Sequence, residues 1–139
     1  MQMLDQNHGW QRLANLADRL EHFKRNGLTR AHHNAGQAVK SWIDANFAQG
    51  GALSPGGWPA PKNATAVSGR LMQKSSRLRQ NWHITCQDDA VTVKAGVSYA
   101  LAHHQGTDVL PARPLVPQGE TLGKLVMPVY AQSLIDDLH

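Results

Sequence analysis

The chain has little cysteine, little acid and no long apolar run. Of its 139 residues only Cys86 is a cysteine, so no intrachain disulfide can form and no multi-cysteine zinc site can be built. Such usage suits a reducing compartment. No stretch approaches the roughly 18 apolar residues of a membrane span, so no membrane contact is expected. The opening MQMLDQNHGW lacks a charged region followed by an apolar one and does not read as a signal peptide. Charged residues are 17% against 41% hydrophobic, which excludes wholesale disorder and allows a buried core. A soluble protein made in a cytoplasm, with one domain over 1–139, is expected.

Acid is scarce in a patterned way. Ten Asp and Glu face 14 Lys and Arg, for a net charge of +4. No acidic residue lies between Asp44 and Asp88, and that gap holds Lys62, Arg70, Lys74, Arg77 and Arg79. This cluster reads either as a solvated basic face or as one turned towards DNA. Scattered acids argue against a two-carboxylate hydrolase. Dinucleotide, P-loop, zincin and nucleophile-elbow motifs are all missing.

Histidines are the remaining candidate ligands. His32-His33 and His103-His104 are adjacent pairs, and neighbours on a helix point about 100° apart, so neither pair closes easily on one metal. His83 and Cys86 have ligand-like spacing, but on a strand they fall on opposite faces. Cys86 alternates with Trp82 and Ile84 and reads as a small buried hydrophobe. No catalytic, cofactor-binding or metal-binding residue is expected, and the chain reads as a non-enzyme.

What is present is amphipathic. Trp10, Leu13, Leu16, Ala17, Leu20 and Phe23 recur at helical spacing, predicting a helix over 10–25 that Gly27 stops. A second helix is predicted over 30–47 with Thr29 as N-cap, packed on the first as a helical hairpin. From Gln49 to Lys62, four glycines and three prolines exclude a regular element. Trp58 within it is either a plug for its own core or an anchor for a partner. Residues 65–79 read as a short basic helix. Trp82, Ile84 and Cys86, then Val91, Val93 and Ala95, alternate about Asp88-Asp89 and predict a β-hairpin. Ser98 could cap a helix over 99–105, closed by Gly106, and three prolines make 111–117 extended. A helical period returns after Gly119, and Pro128 predicts a kink or two pieces. The fold class is therefore α+β: a small antiparallel sheet with a clear hairpin, packed against N- and C-terminal helices, with a long Gly/Pro-rich loop.

Tyr99, Ala100, His103 and Gly106, followed by Pro111-Ala112-Arg113-Pro114, resemble the signature of the virion-morphogenesis (tail-completion, neck) proteins of Mu-like and related tailed phages. The order of elements before it is similar as well: a helix ending at Phe47, a Gly-rich loop with Trp58-Pro59, Ser68-Gly69-Arg70-Leu71, then a hairpin. The likeness covers about 30–117. Leu115 stands where the family usually has an aromatic.

The resemblance implies a structural virion protein without enzymatic activity or cofactor. It would form a homo-oligomeric ring, a hexamer by expectation, at the head–tail junction or the top of the tail. Its partners would be itself and other neck, connector or tail-tube proteins, close to passing DNA, in the virion and, during assembly, in the host cytoplasm. Connector and tail terminator both fit. Contacts are expected at Trp58, Tyr99, His103, Gly106 and Arg113. Arg113, between two prolines in an extended frame, is expected to point its charged head outward towards a neighbour, the alternative being an internal ion pair, with Asp108 for instance, that pins the segment to its own domain. The alternative is a small basic nucleic-acid-binding module, carried by the run from Lys62 to Arg79. Its aromatics are not interleaved with those charges as a stacking platform requires.

Overall fold

The chain is helical without interruption from Gln2 to Ala48. The computed structural model describes residues 2–60, 77–87 and 90–138. Helix α1 is Gln2–His22, a π turn follows over Phe23–Gly27, and α2 is Leu28–Ala48. The predicted stop at Gly27, the Thr29 cap and the helical hairpin are thus corrected. Gly27 keeps a right-handed helical backbone, φ −85° and ψ −26°. A Cβ there would lie 2.7 Å from the Phe23 ring and 3.0 Å from Asp137 Oδ2. The glycine marks a close approach of another helix, and the π turn accommodates an extra residue at that point.

That other helix is α5, Gly119–Leu138, which runs antiparallel to α2. Asp137 meets Gly27, the Tyr130 hydroxyl meets His32 Nδ1, and Leu122 and Val126 lie near Gly36 and Val39. Pro128 sits inside α5, which continues through it as one element rather than two.

Helix α2 carries the core. Ala31, Ala35, Val39, Ile43 and Phe47 repeat every four residues and are all buried. Such a repeat lines one face of a helix. The hairpin packs on it. Strand β1, Trp82–Cys86, pairs antiparallel with β2, Val91–Ala95, in the register Trp82↔Ala95, Ile84↔Val93, Cys86↔Val91. Ile84 lies directly over Gly36 of α2. A lone two-stranded ribbon is marginal, so this packing is what holds it. The alternation read from the sequence is the one observed, although Cys86 is half-buried rather than enclosed.

A four-residue helix, α3, Arg77–Gln80, precedes the hairpin, and Leu78 O accepts from Trp82 Nε1 at 2.8 Å. The rest of the predicted basic helix, the Ser68–Leu71 segment and the Asp88-Asp89 turn lie outside the described residues. Helix α4, Ala100–Gln105, follows β2. Tyr99 rather than Ser98 takes its N-cap position, with no side-chain cap hydrogen bond.

Candidate functional site

Among the described residues, three stretches that carry the sequence resemblance, Trp58-Pro59, Tyr99–Gly106 and Pro111–Pro114, are brought to one place by the fold. Helix α2 ends in Asn46 and Phe47, both fully buried. Asn46 is a polar residue on an apolar face, so its amide must find partners. It finds them in the Gly-rich loop: Oδ1 accepts from Leu53 N–H at 2.9 Å, and Nδ2 donates to Ser54 Oγ at 3.0 Å. Ser54 Oγ in turn donates to Pro114 O at 3.0 Å. The loop is therefore tied down at its middle.

Trp58 then packs edge-on against Phe47, ring centres 5.1 Å apart, and donates from Nε1 to the same Pro114 oxygen at 2.7 Å. Its exposure is 9%, so the anchor reading is corrected: Trp58 plugs its own core. Arg113 is corrected likewise. Its exposure is 6%, and its Nε donates to Pro59 O at 3.0 Å. The segment has no ladder of its own, yet its charged head does not point outward. Instead the prolines around it lack N–H groups, and the side chains supply the donors.

Helix α4 holds the other side of this segment. Arg113 N–H donates to His103 O at 2.8 Å. His104 Nδ1 accepts from Leu115 N–H at 2.9 Å, and its Nε2 lies 2.6 Å from the Gln118 amide. The adjacent histidines thus serve different contacts, as their angular separation requires. Burial pushes the pKa of both rings down, and the neighbouring Arg113 charge adds to this at His103. Leu115 is fully buried beneath.

Gly106 makes the turn between them. Its φ is +79°, and a Cβ there would lie 2.8 Å from Ala112 N. Tyr99 stacks edge-on against His103, centres 5.8 Å apart, and keeps 38% of its surface exposed. Leu101 and Val109 are more exposed still. Beside them a cavity of about 270 Å³ opens between the end of β2, α4 and Leu115-Val116.

The arrangement is thus a frame and a rim. Trp58, His103, Gly106 and Arg113 build the frame from inside, whereas Tyr99 faces out. The sequence reading missed Asn46, Ser54 and His104 as members of this frame. Asn46 was detectable, being polar between Ile43 and Phe47 on the apolar face of α2.

Of the basic cluster only Arg77 and Arg79 are among the described residues. Lys62, Arg70 and Lys74 lie outside the described residues. Arg77 is exposed. Arg79 Nε donates to Asp44 Oδ1 at 2.6 Å, which lowers the Asp44 pKa and raises that of Arg79. Among the described residues no group of three His, Cys, Asp or Glu could hold a metal ion. Compared with known proteins, the chain matches no family model, no curated protein and no solved structure.

Proposed function

We propose that the chain is a structural subunit of a tailed bacteriophage, forming a homo-oligomeric ring at the neck or at the top of the tail, and that it catalyses no reaction. One observation carries this reading. The segments Trp58-Pro59, Tyr99–Gly106 and Pro111–Pro114, which together resemble the tail-completion signature, form a single hydrogen-bonded frame. A shared constraint explains why such residues belong together: a ring subunit needs a rigid body that presents loops to its neighbours. The polar groups of the frame are turned on one another, and its outer side exposes Tyr99, Leu101 and Val109 among the polar Gln105, Thr107 and Asp108. Large apolar side chains set among polar ones over a rigid base suit protein–protein contact. The basic-module reading loses ground because Arg79 is already engaged by Asp44.

Negative-stain imaging of the purified full chain tests this. Rings are expected, and antibody labelling of virions should fall where head meets tail. A monomer that binds duplex DNA with an affinity falling steeply with salt would favour the nucleic-acid module instead.

A further inference from the structure

Helix α1 leaves an apolar face uncovered. Trp10, Leu13, Leu16 and Leu20 are 69%, 56%, 43% and 43% exposed. With Ala17 they stand at i, i+3, i+6, i+7 and i+10, one stripe along the helix. A contiguous patch of large apolar side chains marks a contact surface. The same chain also carries an apolar groove of about 270 Å³ between α2, the hairpin and α5. Val39, Val93, Val116, Leu122 and Val126 line it, with no charged side chain among the described residues.

The stripe cannot fill its own groove. Both lie along one uninterrupted helical run, and at about 1.5 Å per residue Leu20 sits about 24 Å from Gly36 and Trp10 about 44 Å from Val39. Among the described residues the end of α5 meets α1, where Arg19 Nη1 donates to Leu138 O on the flank of the stripe. From there towards Trp10 the stripe is open.

We infer that the stripe of α1 docks into the α2–hairpin–α5 groove of a second copy of this chain. The match is of the helix-in-groove kind, read by anchors at i, i+3 and i+7. Among the described residues neither surface places a charge against the other. Two other occupants fit less well. A helix lying on lipid has a polar face rich in Lys and Arg, whereas this one mixes signs, with Asp18 and Glu21 among Arg12, Arg19 and Arg25, and a Glu21–Arg25 pair at 3.6 Å. A stripe of this length spans fewer heptads than a paired coiled coil needs. Because stripe and groove are different surfaces, the contact can repeat head-to-tail from copy to copy, which closes a ring where the rotation between copies closes and gives a filament where it does not. The inference deepens the ring reading above and rests on it.

Sedimentation velocity on the full chain and two variants tests it. Leu13→Glu spoils the stripe at an exposed site. Leu122→Glu spoils the groove at a position already 37% exposed. The parent should form a closed oligomer and each variant should be monomeric with an unchanged circular dichroism spectrum. An equimolar mixture of the two variants should form a dimer and stop there, since only one intact stripe–groove pairing exists per couple. If Leu13→Glu, the variant safest for folding, still assembles as the parent does, the docking site is wrong while the ring survives. If Leu13→Glu dissociates but Leu122→Glu, still folded, does not, the stripe meets another surface and the inference is overturned. A parent that is monomeric overturns the ring reading itself, and its binding to phosphatidylcholine–phosphatidylserine vesicles would assign the stripe to lipid.

Discussion

Trp58 and Pro114 are 56 positions apart, and the indole Nε1 of the first donates to the carbonyl oxygen of the second at 2.7 Å. Their chain neighbours return the contact, Arg113 Nε donating to Pro59 O at 3.0 Å. Two X-Pro dipeptides so hold each other by exchanging donor and acceptor. Neither proline has an N–H, so a backbone ladder between them is not available and the side chains take its place.

Truncating Trp58 should therefore cost twice. Trp58→Ala removes a ring packed against Phe47 and is expected to lose about 3–5 kcal/mol. Trp58→Phe keeps most of the packing but removes the donor, and about 1 kcal/mol is expected. Urea denaturation of both variants checks the order. A Trp58→Phe variant as stable as the parent would mean that the hydrogen bond to Pro114 contributes nothing, and equal losses in the two variants would mean that the packing on Phe47 contributes nothing.

Arg113→Ala should melt well below the parent. Removing a buried, charge-assisted donor leaves Pro59 O without that partner, at an expected cost of about 2–4 kcal/mol. The outward-pointing arrangement expected from sequence would have cost only about 0–1 kcal/mol, as exposed ion pairs do. A thermal melt within a degree or two of the parent would restore that arrangement.

The fate of these two residues shows where sequence stops. The hairpin was legible because Trp82, Ile84 and Cys86 alternate, and a period of two has one reading on a half-buried ribbon. The α2 face was legible because Val39, Ile43 and Phe47 keep a period of four. The direction of Trp58 and Arg113 was not, because a breaker-rich segment has no period, and a tied loop has the same composition as a free one. What decides is long-range: Asn46 and Ser54 pin the loop, and His103 pins the prolines. Gly27 misled for the same reason. A glycine within a helical pattern reads as a stop, yet here it answers to Asp137, more than a hundred positions away. The uncovered stripe of α1 was legible as amphipathic, but periodicity alone does not say whether the partner is in the same chain.

Gly106→Ala should destabilise despite adding only a methyl group. At φ +79° an L-residue is strained by about 1–3 kcal/mol. The new Cβ would also press on Ala112 N, 2.8 Å away. The effect should appear as a lower melting temperature and faster hydrogen exchange at Arg113 N–H, whose acceptor is in the helix that Gly106 closes. A variant as stable as the parent would show that the 106–112 turn adapts.

Acid should loosen the frame through His104 and His103. Nδ1 of His104 accepts from Leu115 N–H, so the folded state needs the neutral ring. Burial lowers the pKa of both histidines below the ordinary 6.5. Between the lowered folded value and the unfolded one, the unfolded chain binds more protons, so stability rises with pH across that window. The contribution is complete above about pH 6.5 and is lost as pH falls through the folded pKa. Asp44, whose carboxyl Arg79 holds below its usual range, acts in the same direction but only in stronger acid, near the carboxylate range. The histidine part is separable. His104→Asn keeps an acceptor where Nδ1 stands and cannot titrate, so it should fold about as stably as the parent at pH 8 and lose less on going to pH 5. Denaturation curves at pH 8, 7, 6 and 5 measure this, and parallel losses in the two proteins would remove His104 from the account.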